Sequence, residues 1–335
     1  MAKTKPGIGL MMHTFGAAPL AKNRELVKEA ETLGYSALWT PEVVGPDAIT
    51  TLTAYALNTS KIDLATGVVP IQIRTPVLTA MSFLSVNELA GGRVIAGLGV
   101  SSAIIVGRWH GASYRKPVTA MRECVKIVRE LFTEGRSKFD GTVFKSDIRL
   151  GMRLTQKPPR ICVAALNPPM LRVAGELADG VLLTYSPPDA MADLIGEVRR
   201  GASDAGRDPD SIDTAIYLRM CVTEDRRAAI DAFKRELAGY AFVDAYKQMF
   251  ARYGLADELA EVRRLWQAGK RDDAFTAISD ASAAKIGFVG SAEQAHEFVA
   301  RYRQAGITHP VIFPIGPGDT LARDYANTMR ALADA

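Results

Sequence analysis

Short apolar runs alternate with longer amphipathic segments along almost the whole chain. We identify eight of these runs as candidate β-strands: residues 7–12, 36–40, 62–69, 94–99, 160–165, 180–184, 212–222 and 310–314. Several of the runs are apolar without alternation, which is typical of parallel strands that are covered on both faces. The segments between them have helical spacing: within residues 116–135, one helical face carries Val118, Met121, Val125, Val128 and Phe132.

Eight strand–helix units without an intervening linker predict an α/β fold of the (β/α)8 TIM-barrel type. A doubly wound open sheet is the alternative, and it usually has fewer strands. Residues 226–285 are too long and too regularly patterned for a bare loop, so we predict a helical insertion after the seventh strand, over the barrel mouth. The length of 335 residues is compatible with a single barrel domain over 1–335.

Composition restricts the classes of function. Hydrophobic residues make up 48% of the chain and charged residues 23%, and no apolar run reaches the roughly 18–20 residues of a membrane helix. The start, "MAKTKPGIGLMM", resembles a first strand more than a signal peptide. Three distant cysteines and four histidines without zinc spacing predict a reducing cytoplasm and no metal site. The charge of +4 comes from intermixed acids and bases, which does not favour nucleic-acid or membrane binding.

The stretch "RVIAGLGVSS" ends the fourth predicted strand with a Gly-x-Gly motif. A dinucleotide-binding fingerprint would need a third glycine, where this chain has Ser102, and would follow the first strand. In a barrel, Gly97, Gly99 and Ser101 instead lie at the carboxyl end of a strand, the face on which barrel enzymes carry their sites. A tight turn that binds nothing is the alternative.

Five phrases taken together resemble a known family. They are "TGVVPIQIRTPVLTA", "LAGGRVIAGLGVSS", "GRWHGASYRKPVTAMRE", "VAALNPPMLRVAGELADGVLLTY" and "GRDPDSID". In this order they resemble the luciferase-like monooxygenase superfamily and, within it, the deazaflavin (coenzyme F420)-dependent oxidoreductases. The resemblance runs from about residue 7 to residue 330. It implies the same (β/α)8 barrel, with a flavin or deazaflavin lying across the carboxyl ends of the strands.

The resemblance also implies cofactor-binding residues. Gly67 and Val68, followed by Val69, match a bulge with a non-proline cis peptide that backs the central ring in the deazaflavin branch; an ordinary bulge glycine is the alternative. The fifth strand ends at a double proline, where free backbone N–H groups of a helix could hold the cofactor phosphate. The candidates there are Ala164, Ala165, Leu166 and Asn167. Asn167 could instead cap the helix. Thr184, at the end of the sixth strand, is a further cofactor-binding candidate.

Few residues can serve in proton transfer. Glu42 follows the second strand, where many relatives have a histidine, so this chain departs from that pattern. A carboxylic acid can take this role if burial raises its pKa. His13, after the first strand, and His110, in "RWHGASY", also lie on the predicted active face. A lone histidine is more often a structural hydrogen-bonding group, and a surface glutamate is the corresponding alternative for Glu42.

The resemblance implies an oxidoreductase that exchanges hydride between F420 and a small organic substrate with a carbonyl, an imine or an activated C=C bond. One alternative is an FMN-dependent monooxygenase that receives reduced flavin from a cofactor-reducing partner enzyme. Another is a flavin-binding barrel without catalysis. Substrate contacts are expected from Phe15, Gly16, the 101–115 loop and the insertion. Relatives are often dimers, so the resemblance implies a homodimer.

Overall fold

The structure, a computed structural model, describes residues 7–12 and 23–333. The strands are β1 Gly9–Met11, β2 Ala37–Thr40, β3 Asp63–Thr66, β4 Val69–Pro70, β5 Val94–Gly99, β6 Arg136–Asp140, β7 Lys145–Arg149, β8 Arg160–Ala164, β9 Gly180–Thr184, β10 Asp213–Val222, β11 Gly287–Gly290 and β12 His309–Pro314. The helices are α1 Asn23–Thr32, α2 Ala48–Ala56, α3 Pro76–Leu89, α4 Pro117–Glu134, α5 Pro168–Leu177, α6 Met191–Asp204, α7 Arg226–Tyr240, α8 Asp244–Arg252, α9 Ala256–Gln267, α10 Arg271–Thr276, α11 Asp280–Ile286, α12 Ala292–Gln304 and α13 Leu321–Ala331.

Eight parallel strands close into a barrel in the order β1, β2, β3, β5, β8, β9, β10, β12 and back to β1. The predicted (β/α)8 barrel is therefore confirmed. One boundary differs, because the predicted strand 62–69 divides at Gly67 into β3 and the short β4, which pairs with β5. The antiparallel β6–β7 hairpin was not predicted, since its side chains are mostly polar and exposed.

Side chains alternate along each barrel strand between two cores. On β10, Ala215, Tyr217 and Cys221 belong to the core inside the barrel. Their neighbours Ile216, Leu218 and Met220 belong to the core between the barrel and its helices. This period of two explains why the predicted strands lack polar alternation, because both faces of the sheet are covered by protein.

The predicted insertion consists of the five helices α7 to α11, and β11 then adds to the edge of β10. Its buried side chains, among them Phe233, Leu237 and Phe250, join the same core as the interior of the barrel. The ring of Phe250 stands 5.6 Å from the ring of Tyr185, which follows β9. The insertion therefore packs on the carboxyl-terminal end of the barrel, as predicted.

His309 is the first residue of β12, at the opposite, amino-terminal end of the barrel. It was not among the predicted catalytic residues. It is 3% exposed, and neither ring nitrogen has a hydrogen-bond partner among the described residues. Its ring lies 6.1 Å from that of Trp39 inside the barrel. Burial lowers the pKa of His309 to about 4, so the ring is neutral in the folded protein at neutral pH.

We predict that His309 makes the fold sensitive to acid. Its pKa is lower in the folded chain than the ordinary 6.5, so its contribution is complete above pH 6.5 and is lost as the pH falls towards 4. The shift corresponds to about 3 kcal/mol of unfolding free energy. Urea unfolding from pH 7 to pH 4 should therefore show a flatter pH dependence for His309→Leu than for wild type, with His296→Ala on α12 as the control. Parallel curves for wild type and His309→Leu would contradict the assignment.

Candidate active site

The predicted cofactor-binding residues lie at the carboxyl ends of β3, β5, β8 and β9, four strands that are neighbours in the barrel. Successive residues along these strands face the inside and the outside of the barrel in turn. The interior core contains Ala65, Ile95 and Cys162, so the inward positions nearer the mouth are Gly67, Gly97, Gly99 and Ala164. We call these four residues the glycine wall. Val69 and Ala165 instead pack into the outer core, so only their backbone atoms can face a ligand.

Packing leaves no room for larger residues in the glycine wall. A Cβ atom on Gly67 would lie 1.6 Å from the hydroxyl oxygen of Tyr217, which donates a hydrogen bond of 3.0 Å to the Gly67 carbonyl oxygen. A Cβ atom on Gly97 would lie 1.7 Å from the carbonyl oxygen of Thr66, and one on Gly99 would lie 2.2 Å from Cγ2 of Val68. The peptide bond between Gly67 and Val68 is cis, as expected. The space in front of these glycines is therefore filled by the Tyr217 hydroxyl, the Thr66 carbonyl group and the Val68 side chain.

Two residues beyond strand ends have left-handed backbone conformations. Ser101 follows β5 with φ of 55°, and Tyr185 follows β9 with φ of 51°. For residues other than glycine this region costs of order 1–3 kcal/mol, and such residues cluster at functional sites. Ser101 thus lies at a specialised turn on the active face, while Tyr185 is a position that sequence analysis missed.

The end of β8 leads into α5 as predicted. Asn167 is the N-cap residue of α5, but its side chain makes no capping hydrogen bond. Its Oδ1 atom instead accepts a hydrogen bond of 3.1 Å from Arg252 of α8, and the carbonyl oxygen of Leu166 accepts another of 2.7 Å. Asn167 therefore occupies the cap position, but its side chain does not cap the helix. The prediction of free N–H groups at the start of α5 is wrong, because Pro168 and Pro169 have no N–H and the N–H of Met170 donates to the carbonyl oxygen of Asn167 at 3.0 Å. The insertion instead brings a cation, Arg252, to this point.

A buried arginine occupies the barrel mouth between β9 and β10. The side chain of Arg219 is 4% exposed, its Nε atom donates to Glu236 of α7 at 3.1 Å, and its Nη1 atom donates to the hydroxyl oxygen of Thr184. Its guanidinium carbon lies 3.7 Å from the centre of the Tyr185 ring and 4.3 Å from that of Phe313. Burial alone would lower the pKa of Arg219, but Tyr185 and Glu236 raise it above its ordinary value. The group therefore stays charged.

Glu42 forms an ion pair after β2. Its two carboxylate oxygens accept hydrogen bonds from Nε and Nη2 of Arg74, at 3.0 and 2.9 Å, and from the backbone N–H of Ala48 at 3.1 Å. Arg74 also pairs with Asp47, the N-cap residue of α2. Because both carboxylate oxygens accept from Arg74, exchange of a proton with a substrate requires this pair to open in either direction.

The two histidine candidates have different outcomes. His110 follows a short π-helix, Ile104–Trp109, on the loop after β5, and its exposed ring makes no hydrogen bond to the described residues. His13 lies outside the described residues, as do Phe15 and Gly16, which were expected to contact the substrate. His110 therefore keeps access to solvent, and its role stays a prediction.

Four polar residues near the barrel mouth were not among the residues predicted from the sequence: Arg219, Gln72, Glu236 and Arg252. Arg219 could have been found, because it is the one charged residue inside the apolar part of the seventh predicted strand. Gln72, after β4, is also notable, since its side-chain amide is buried without a hydrogen-bond partner among the described residues. Glu236 and Arg252 gave no such signal, because charged residues are common on insertion helices.

Comparisons with known proteins agree with this architecture. The profile of the luciferase-like monooxygenase family matches residues 3–309, so the chain belongs to that family. It is 30% identical to a putative coenzyme F420-dependent oxidoreductase of Mycobacterium tuberculosis, in an alignment of 331 residues that covers 91% of this chain and 94% of that protein. A 5,10-methylenetetrahydromethanopterin reductase of Archaeoglobus fulgidus is 31% identical over 301 residues, covering 87% and 89%.

The fold also matches a solved structure. The coenzyme F420-dependent tetrahydromethanopterin reductase of Methanopyrus kandleri superposes with a TM-score of 0.82 at 22% identity, covering 98% of each chain. Over the described ranges, no group of three or more histidine, cysteine or acidic residues is arranged to hold a metal ion. Among the same residues, none of the helices combines the length and hydrophobicity needed to cross a bilayer.

We predict that the glycine wall tolerates no methyl group at Gly97. Because the added Cβ atom would meet a backbone oxygen at 1.7 Å, Gly97→Ala should lower the free energy of unfolding by about 3 kcal/mol or more. The control is Gly196→Ala in α6, where nothing lies within 4 Å of the added atom. That change should stabilise the chain by about 0.5–1 kcal/mol. Urea unfolding measures both, and equal stability of Gly97→Ala and wild type would disprove the close packing.

Proposed function

We propose that this protein is an oxidoreductase that exchanges hydride between coenzyme F420 and a small organic substrate. The Mycobacterium tuberculosis relative that is named as coenzyme F420-dependent, with 30% identity over 91% of this chain, supports the choice of cofactor. The observation that carries the proposal is the glycine wall, whose packing excludes side chains at Gly67, Gly97 and Gly99. A closely packed surface of small residues at the mouth of a barrel fits a planar ring system.

The chain's own residues fit the rest of such a cofactor. Arg252 brings a cation to the junction of β8 and α5, where its guanidinium donates to the carbonyl oxygen of Leu166 and to Oδ1 of Asn167. The start of α5 itself offers no donors, because Pro168 and Pro169 have no N–H and the N–H of Met170 donates to the Asn167 carbonyl oxygen, so Arg252 is the residue that we expect to hold the phosphate. Tyr217 and Trp39 support the wall from inside the barrel, since the ring of Trp39 lies 3.2 Å from the position of a Cβ atom on Gly67. A bound deazaflavin supplies two-electron hydride chemistry, while the protein fixes the substrate and excludes water.

Hydride transfer to a carbonyl, or from the corresponding alcohol, requires a proton-transfer group. We place Glu42 in this role, with His110 as the alternative. Glu42 takes the proton of a substrate alcohol when hydride leaves the alcohol carbon, and it returns a proton in the reverse direction; in both directions the pair with Arg74 opens to free the carboxyl oxygen.

We expect the protein to bind F420 about tenfold or more tightly than FMN, which is a difference of about 1.4 kcal/mol. Titration of the cofactor-free protein, followed by the fluorescence of each cofactor, measures both constants. Arg252→Gln should weaken binding of both cofactors because both carry a phosphate, whereas Arg264→Gln, whose partner is Glu261 on the same helix, should not. Equal or tighter binding of FMN would replace the proposal with an FMN-dependent monooxygenase.

We expect Glu42→Gln to lower kcat by about 10²-fold, since a positioned acid or base contributes on that order. The dissociation constant of F420 should stay near that of wild type. Arg74→Gln is the control, because it breaks the same ion pair but keeps the carboxylate. If Arg74→Gln loses as much activity as Glu42→Gln, the ion pair rather than the proton transfer is what matters. Normal turnover of Glu42→Gln beside an inactive His110→Ala would assign the role to His110.

A further inference from the structure

Thr184 lies at the level of the barrel mouth and faces inward. It is two residues beyond Leu182, which belongs to the interior core, so alternation directs its side chain to the same side. Its partner in the β9–β10 register is Tyr217, the residue whose hydroxyl reaches the carbonyl oxygen of Gly67. Thr184 is half-buried. Its hydroxyl is therefore one strand away from the side chain that supports the glycine wall.

The hydrogen bond from Arg219 fixes the direction of the Thr184 hydroxyl. A guanidinium carries only donors, so the Thr184 oxygen must act as the acceptor in this contact. The hydroxyl proton then has to point elsewhere, and the described residues provide no acceptor for it. A hydroxyl in this state is a hydrogen-bond donor aimed away from Arg219.

Arg219 cannot readily move from this position. Glu236 of α7 holds its Nε atom at 3.1 Å, and the Tyr185 and Phe313 rings lie against the guanidinium. Glu236 also accepts a hydrogen bond from the Tyr185 hydroxyl, so two groups orient its carboxylate. The cation beside Thr184 polarises the hydroxyl and strengthens it as a donor.

We propose that Thr184 is a catalytic hydrogen-bond donor to the oxygen atom of the substrate and that Arg219 is the residue that positions and polarises it. This inference rests on the proposed hydride-transfer function and narrows its substrate class to carbonyl compounds and the corresponding alcohols. As hydride adds to the carbonyl carbon, the π electrons move to the oxygen, and the Thr184 hydroxyl stabilises the negative charge. The oxygen then takes a proton from the proton-transfer group, and the hydride comes from the reduced deazaflavin.

The first test needs no turnover. The probe is 4-nitrophenolate, whose negatively charged oxygen resembles the carbonyl oxygen of the substrate in the transition state of hydride addition. Its absorbance reports its binding to the complex of the protein with oxidised F420. Thr184→Val should raise its dissociation constant by about tenfold or more, because hydrogen bonds to charged acceptors are the strong ones. Thr184→Ser keeps the hydroxyl and should stay within about threefold of wild type. Equal binding by Thr184→Val and wild type overturns the inference, as does equal weakening in both variants.

The second test uses reduction of a ketone panel, including cyclohexanone, by reduced F420. Thr184→Val should lower kcat by about 10²-fold with KM nearly unchanged, as expected for loss of a donor that acts on developing charge. Arg219→Lys should also lower kcat in the wild-type background but have little further effect beside Thr184→Val, because it acts through Thr184. Additive losses would overturn the positioning role of Arg219.

The two tests separate this inference from the proposed function. If wild type fails to bind F420, the proposed function is wrong. If wild type binds F420 and Thr184→Val matches it in nitrophenolate binding and in kcat, the function stands and the role of Thr184 is wrong. Circular dichroism shows that each variant is folded before its constants are compared, and the conservative Thr184→Ser and Arg219→Lys changes preserve most of the local packing.

Discussion

The hydrogen bond from the Tyr217 hydroxyl to the Gly67 carbonyl oxygen crosses the inside of the barrel, and the geometry of the mouth depends on it. It holds the backbone after β3 against a side chain from β10, two strands that are not neighbours in the sheet. The phenol occupies the space that any side chain at residue 67 would need. The ring of Tyr217 therefore fills the inside of the barrel below the mouth, and no side chain stands at residue 67 above it.

A second constraint is electrostatic. The pair of Arg219 and Glu236 joins the barrel to the first helix of the insertion, with the arginine 4% exposed. Removing such charges from water costs several kcal/mol, and a buried ion pair is often no more stabilising than apolar residues of the same volume. Stability alone is therefore a weak reason for this pair. Its contacts with Thr184 and Tyr185 give it a use at the mouth that apolar residues could not supply.

The barrel could be predicted because its causes are local. Runs such as "VIAGLG" carry no polar side chain, as expected for a strand that is covered on both faces, and eight strand-like runs recur along the chain. The glycine wall could also be predicted, because a motif marks Gly97 and Gly99. Thr184 was predicted as a site residue, but its association with Arg219 and Glu236 could not be predicted, since the three residues come from separate elements and only the closed barrel brings them together. The hairpin of β6 and β7 was missed because it buries too little to leave an apolar pattern.

The two ion pairs at the mouth lie on opposite sides of the barrel. Glu42 and Arg74 stand beside β2, whereas Arg219 and Glu236 stand over β9 and β10, three or four strands away in the closed order. The glycine wall of β3, β5 and β8 lies between them on one arc of the barrel. A planar group on that wall would leave its open face towards the centre of the mouth, with a carboxylate on one flank and a polarised hydroxyl on the other. A substrate that reacts on this face and carries an oxygen on its reacting carbon can accept a hydrogen bond from the Thr184 hydroxyl, which is the physical basis for expecting a carbonyl or an alcohol.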